Sequence, residues 1–275
     1  MRPILFEIGP FQLHTYGLTA AAGFLLALYY MQWQARRIRL DPEFAADLAF
    51  LFVIVGVIGA RALYVLVTWE RFEDNFWDVF AIWKGGLVFY GGPMLVVPVA
   101  FWVFRRKNVG AFAYSDIGAV AMMLSLGIGR FGCLAAGCCY GKVTGVPWGV
   151  VYPPAAASDY LRQGLPVHPT PIYEFLACMA IVGLGIVLNQ YKKHDGITTG
   201  MVFITYAIAR SVIELYRGDT VRGFVGDTGL STSQFISLFS VLFGLGIIAW
   251  AYWKKKPRYY WDGVPPAGQP APKGS

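Results

Sequence analysis

Apolar residues run along this chain in blocks of about 20, the length that crosses a hydrocarbon core as a helix. Seven blocks are read, approximately Tyr16 to Ala35, Phe44 to Val67, Gly85 to Phe104, Tyr114 to Gly129, Pro171 to Gln190, Thr199 to Tyr216 and Gln234 to Trp253. The fourth is the shortest and is rich in glycine. The first exceeds a signal-peptide apolar region, and Arg36, Arg37 and Arg39 follow it where a signal peptide has its basic residues in front, so it is read as a retained span. The predicted fold class is all-α, a polytopic membrane protein with about seven transmembrane helices. No internal repeat of transporter-half length supports an inverted-repeat architecture.

Composition sharpens this picture. Of 275 residues, 56% are hydrophobic and 14% charged, with a mean hydropathy of +0.51, which excludes a water-soluble monomer. The net charge of +7 does not point to nucleic acid, because the basic residues stand at the ends of the apolar blocks. Thirteen lie on the side reached after spans one, three, five and seven, including Arg36, Arg105, Lys192 and Lys254, and six lie on the other, including Lys142 and Arg222. Cytoplasmic loops hold the excess, so the N-terminus is placed outside and the C-terminus inside. Residues 1–253 form one transmembrane domain with an outer-face loop at about 130–169. Residues 254–275, basic and proline-rich, are read as a disordered cytoplasmic tail near the anionic inner leaflet.

Ionisable groups inside spans are costly and mark function by default. On span six Tyr206, Arg210, Glu214 and Arg217 are spaced four, four and three residues, which puts them on one helical face. The orientation brings His14 and Tyr16, Arg61, Tyr90, Arg130, and His168 with Glu174 to the same outer level. The inner half holds almost no polar groups in this reading. An arginine-lined, outward-open cavity suits an anionic headgroup whose acyl chains stay in the bilayer. The plainer alternative is that Arg210 and Glu214 form a structural pair at i, i+4.

Ordered motifs then add a family. His14-Thr15-Tyr16-Gly17, Gly59-Ala60-Arg61, Gly85-Gly86-Leu87-Val88-Phe89-Tyr90-Gly91-Gly92 and Gly129-Arg130-Phe131-Gly132 come first. His168-Pro169-Thr170-Pro171-Ile172-Tyr173-Glu174, Tyr206 to Arg217 with Gly218-Asp219, and Ser231 to Leu238 follow. In this order and position the chain resembles the bacterial prolipoprotein diacylglyceryl transferases over nearly its whole length. The resemblance implies a multi-pass enzyme of the bacterial inner membrane with its site toward the outer leaflet. It further implies transfer of the diacylglyceryl group of phosphatidylglycerol to the lipobox cysteine of a prolipoprotein signal peptide, with release of glycerol phosphate. Membrane lipids surround it, and no metal or organic cofactor is implied. Tyr16, Arg61, Arg130, Gly141, Tyr206, Arg210, Glu214 and Arg217 stand at family-motif positions. Three positions depart: the family has His at Tyr90, Asn at Cys133 and an acidic residue at Cys138.

The implied chemistry names roles. Expelling a phosphate ester needs developing negative charge to be stabilised, the role expected of Arg130 and Arg210, with Tyr206 and Tyr90 beside them. The attacking thiol must lose a proton, and a free thiol of pKa about 8.5 is only a few per cent ionised at neutral pH. An ordinary phenol replaces the family's imidazole poorly as base, and His14 and His168 are the other outer-side imidazoles. His168 alternatively caps the fifth helix. Tyr16, Arg61, Gly141, Glu214, Arg217, His14, His168 and Glu174 are expected to bind substrate.

Cys133, Cys138 and Cys139 form the most unusual local feature. A zinc site would normally need a fourth ligand and Cys-x-x-Cys spacing, and neither is evident. A disulfide from Cys133 to Cys138 or Cys139 would shape the loop after Arg130, and a redox-active or acyl-carrying thiol is the other reading. Cys178 reads as a small buried residue. Three further functions stay open: a same-fold transferase for another acceptor, a non-catalytic phospholipid or anion binding protein or transporter, and a thiol oxidoreductase.

Overall fold

The computed structural model describes residues 4–8, 11–73, 75–81, 85–88, 90–153, 164–218, 231–254 and 258–260, with backbone alone for 4–8 and 11–14. Among them seven α-helices follow one another: α1 Thr15–Arg37, α2 Pro42–Val67, α3 Gly91–Lys107, α4 Ala111–Ala136, α5 Thr170–Tyr191, α6 Ile197–Glu214 and α7 Thr232–Lys254. Five of these, α2 and α4 to α7, are long and apolar enough to cross a membrane. The protein is therefore a multi-pass helical membrane protein. One element lies outside the all-α expectation, an antiparallel hairpin of β1 (Ile4–Ile8) and β2 (Phe11–His14) that leads straight into α1.

Local chemistry sets the helix ends. Asp41 caps α2, its Oδ1 accepting from the N–H groups of Glu43 at 2.9 Å and Phe44 at 3.3 Å, with Pro42 in the first turn where no donor is needed. The third span begins six residues later than the sequence reading placed it. Gly85 and Gly86 take φ of 80° and 78°, a left-handed conformation that cannot start a right-handed helix. The fourth helix, expected to be the shortest, is one of the two longest at 26 residues. Its glycines serve contact instead of breaking it: Gly127 meets Cys178 and Met179, and Gly132 meets Tyr16 and Thr19. Gly137, at φ 68°, ends it, its N–H reaching the Cys133 and Leu134 carbonyls. Arg130 consequently sits well inside α4 and not at its edge.

α4 is the hub, packing against α1, α5 and α6, while α2 pairs with α3 and α6 with α7. In lipid, close backbone approach substitutes for hydrophobic drive. A methyl group on Gly200 would stand 2.7 Å from the Gly244 carbonyl oxygen, which shows how closely α6 and α7 meet. Large apolar side chains such as Leu242, Phe243 and Leu245 face outward on α7, the expected state of a lipid-facing helix.

The first turns of α4 hold a buried polar cluster at the opposite end of the helix from Arg130, so polar groups do not gather at one end of the bundle alone. Asp116 Oδ1 accepts from the Thr199 N–H and hydroxyl at 2.7 Å each, and Oδ2 accepts from the Gly196 N–H at 2.8 Å and from Lys192 Nζ. Lys192 also pairs with Asp195 at 3.1 Å. Arg258 donates to the Asn189 and Gln190 carbonyls, and the Tyr259 N–H donates to Asp195. So this part of the predicted tail docks on the bundle. The remainder of the tail after Lys254 lies outside the described residues.

Candidate active site

At the far end of α4, about 21 Å from Asp116 at the helical rise, a second cluster joins four elements. Arg130 Nη2 donates to Glu174 Oε1 at 2.7 Å, and the Tyr206 hydroxyl donates to the same oxygen at 2.8 Å. Glu174 is 1% exposed, so a buried carboxylate on α5 ties α4 to α6. One turn further along α6, Arg210 Nη2 pairs with Glu214 at 2.5 Å and donates to Ser233 Oγ on α7 at 2.9 Å. The i, i+4 pair read from the sequence thus exists, but it does not use up the guanidinium. Arg210 Nη1 and Arg130 Nε are buried N–H groups with no hydrogen-bond partner among the described residues. A buried donor left unpaired costs about 1–3 kcal/mol, and two of them on cations are an offer to an anionic ligand.

Arg130 also faces the thiols. Its Nη1 lies 3.9 Å from Cys133 Sγ and 4.0 Å from Cys139 Sγ. Cys133, Cys138 and Cys139 are free thiols whose sulfur atoms all lie within 4.8 Å of one another. Hydrogen bonds from Cys133 and Cys138, with Arg217 and Arg130 alongside, hold the Cys139 thiol well below its usual range. Hydrogen bonding to Cys133 and Cys139, then burial, pushes Cys138 up. Tyr16, half-exposed at the start of α1, stands within electrostatic range of Arg130 and all three thiols.

Backbone lacing positions this end. The Gly141 N–H donates to the His168 carbonyl at 3.0 Å, the Lys142 N–H to Tyr216 at 2.8 Å, and the Gly218 N–H to Tyr140 at 3.2 Å. A Cβ on Gly141 would meet His168 O at 2.6 Å and Tyr216 O at 2.8 Å, so glycine is what lets the three segments close. Arg217, buried, faces Gly141 across this bridge. Thr170 Oγ1 donates to the Cys139 carbonyl at 2.5 Å, fixing the cysteine loop to the start of α5.

Other expected site residues sit elsewhere. Arg61 is 7% exposed and makes four hydrogen bonds to loop carbonyls, with five N–H groups to give: Val79 at 2.9 Å, Asp78 at 2.6 Å, Gly85 at 2.5 Å and Gly86 at 2.9 Å. It staples the segment before α3 and has no fork left for a headgroup. His168 does not cap α5 by its side chain; Nδ1 lies 3.0 Å from the Tyr173 hydroxyl, which also accepts from Trp148 Nε1 at 2.8 Å. Tyr90 is about half exposed just before α3. His14 closes β2, and its side chain lies outside the described residues. Sequence reasoning gave no role to Ser233, which bonds Arg210, or to Thr170, which bonds the cysteine loop. Both lie inside segments already singled out, Thr170 just before Glu174 and Ser233 within Ser231 to Leu238.

This is the arrangement of a membrane-embedded enzyme or anion-binding protein, with buried cations whose capacity exceeds their internal partners. The sequence comparison decides the family. The profile of the prolipoprotein diacylglyceryl transferases matches residues 3–250, and the chain belongs to that family. It is 32% identical over 262 residues to the phosphatidylglycerol--prolipoprotein diacylglyceryl transferase of Legionella pneumophila strain Lens, covering 93% of this chain and 98% of that one. With the protein of the same name from Aliivibrio salmonicida the identity is 34% over 257 residues, 91% of this chain and 87% of the other. With that of Clostridium tetani it is 29% over 245 residues, 89% and 96%.

Proposed function

We propose that this protein transfers the diacylglyceryl group of phosphatidylglycerol to the lipobox cysteine of a prolipoprotein, releasing glycerol phosphate; the names of its relatives give the donor, the diacylglyceryl group and the prolipoprotein acceptor for them. The observation that carries this reading is the pair of buried guanidiniums, Arg130 and Arg210, each with an N–H unpartnered among the described residues. They stand in two linked sets of side chains, Arg130–Glu174–Tyr206 and Arg210–Ser233, which meet α6 one turn apart at Tyr206 and Arg210. A phosphodiester accepts from both. As the acceptor sulfur bonds to the glyceryl carbon, the carbon–oxygen bond to phosphate breaks and the leaving phosphate gains charge in a low-dielectric site, where such donors count most. Glu174 holds Arg130 and Tyr206 in place; Arg61 and Gly141 shape the surrounding loops.

All seven helices are taken to span the bacterial inner membrane, with the N-terminus and the Arg130 end of α4 outward and the Asp116 end inward. The basic excess around Arg36, Arg105 and Lys192 supports this orientation. In a background with the native cysteines replaced, Lys142→Cys should react with an impermeant thiol reagent in intact cells and Lys193→Cys should not. The reverse pattern would overturn the orientation. The reaction itself is tested by incubating purified protein with phosphatidylglycerol and a lipobox peptide and weighing the peptide by mass spectrometry. A diacylglyceryl thioether is expected; its absence with folded protein would overturn the reading.

A further inference from the structure

The transferase reading leaves one step without a residue, the removal of the acceptor's thiol proton. Cys133 is buried in the last turn of α4, Gly137 reverses the chain, and Cys139 takes an uncommon left-handed φ of 61°. The outcome is three sulfurs within 4.8 Å of one another, Cys133 buried, Cys139 half-buried and Cys138 exposed. Zinc–sulfur bonds of about 2.3 Å place tetrahedral sulfurs about 3.8 Å apart, a contraction of about 1 Å from that limit. A second observation comes from beside the cluster. Tyr152 is 3% exposed, its hydroxyl has no hydrogen-bond partner among the described residues, and all three thiols lie within its electrostatic range. A metal-bound thiolate sulfur is an acceptor for such a donor.

We propose that Cys133, Cys138 and Cys139 hold a zinc-class divalent cation whose fourth position receives the acceptor's cysteine sulfur. The lack of a fourth protein ligand argues against a structural zinc site, yet it is what distinguishes a catalytic one, which keeps three protein ligands and an open position. Charge agrees: four thiolates around a dication carry two negative charges, and Arg130 and Arg217 stand beside the cluster. The step balances without any oxidant. On coordination the acceptor S–H releases its proton to water; the sulfur then bonds to the glyceryl carbon, and the electron pair of the breaking carbon–oxygen bond leaves on the phosphate toward the arginines. A coordinated thiol is deprotonated outright, against a few per cent ionised for a free one, so the reactive species at neutral pH rises about thirtyfold. The inference rests on the transferase reading for the identity of the fourth ligand, and the three-thiolate site itself does not.

The test uses the full-length purified protein. Elemental analysis should find about one zinc per chain, lost with Cys133→Ser, Cys138→Ser or Cys139→Ser and kept with Cys178→Ser, whose thiol is buried in α5 outside the cluster. Should a serine variant fail to fold, cobalt(II) loaded into the unaltered chain gives an independent readout. Its visible bands should show tetrahedral thiolate coordination, change when a cysteine lipobox peptide is added, and stay unchanged with the serine peptide. A disulfide within the cluster of active protein, copper(I) held with no response to peptide, or undiminished thioether formation by metal-free protein would each overturn the inference while leaving the transferase reading intact. Metal-loaded, folded protein that binds the peptide at cobalt and yet yields no thioether would overturn the transferase reading, while the metal content and cobalt bands would still uphold the site.

Discussion

The two ends of α4 carry buried charge and treat it in opposite ways. At Asp116 each carboxylate oxygen accepts two hydrogen bonds, and every donor is supplied by the bundle. At Arg130 and Arg210 the ion pairs leave N–H groups over. Both clusters are buried, both join helices distant in sequence, and burial alone would score them alike. What separates them is saturation of the charged groups: the buried atoms left unpartnered near Asp116, Asn189 Oδ1 and Thr198 Oγ1, are neutral, whereas at the other end they belong to guanidiniums. A closed cluster fixes packing; an open one has capacity for a ligand that the folded chain does not itself provide.

The contrast is broken most severely at the closed end. Asp116→Ala should leave buried Lys192 with Asp195 as its one carboxylate and the Gly196 and Thr199 donors without their acceptor, and cost about 3–5 kcal/mol of stability, read as a fall in the midpoint of thermal unfolding in detergent, with the rate per folded molecule unchanged. At the open end the order reverses. Arg210→Gln should slow thioether formation on the order of a hundred- to a thousandfold, because a charge aimed at the leaving phosphate is lost, while Glu214 stays near the end of α6. Glu174→Gln keeps an oxygen for Arg130 and Tyr206 but replaces charge-assisted hydrogen bonds by neutral ones. At about 1–1.5 kcal/mol, the expected loss is about tenfold in kcat with little change in KM. Tyr90→Phe is the smallest: for a half-exposed residue just before α3 the rate should stay within about twofold, and a large loss would return the proton to that hydroxyl.

The sequence made some of this legible and hid the rest for physical reasons. The face of Tyr206, Arg210 and Glu214 was readable because helical period alone aligns residues four apart. The link from Arg130 to Glu174 spans 44 residues, and no local rule places those two on one oxygen with Tyr206. Asp116 was overlooked because a single carboxylate at the start of an apolar block looks like a solvated end until its partners, 76 to 83 residues away, are seen. Arg61 matched a family motif, yet its role is set by how the loop before α3 folds around it, which glycines at positive φ determine. The same glycines moved the start of α3 itself. In α4, glycine content read as weakness turned out to be contact surface, a distinction only the neighbouring helices make.

The open-end claim is tested most directly by the rate of thioether formation in Arg130→Lys, measured on protein whose unfolding midpoint is recorded in the same preparation. Lysine keeps a positive charge for Glu174 and so preserves the fold, but it lacks the planar fork that would hold both the carboxylate and a phosphate oxygen. A fall on the order of a hundredfold with the midpoint nearly unchanged is the predicted result. A rate near that of the unaltered protein would contradict the assignment of the open end of α4 to the leaving phosphate.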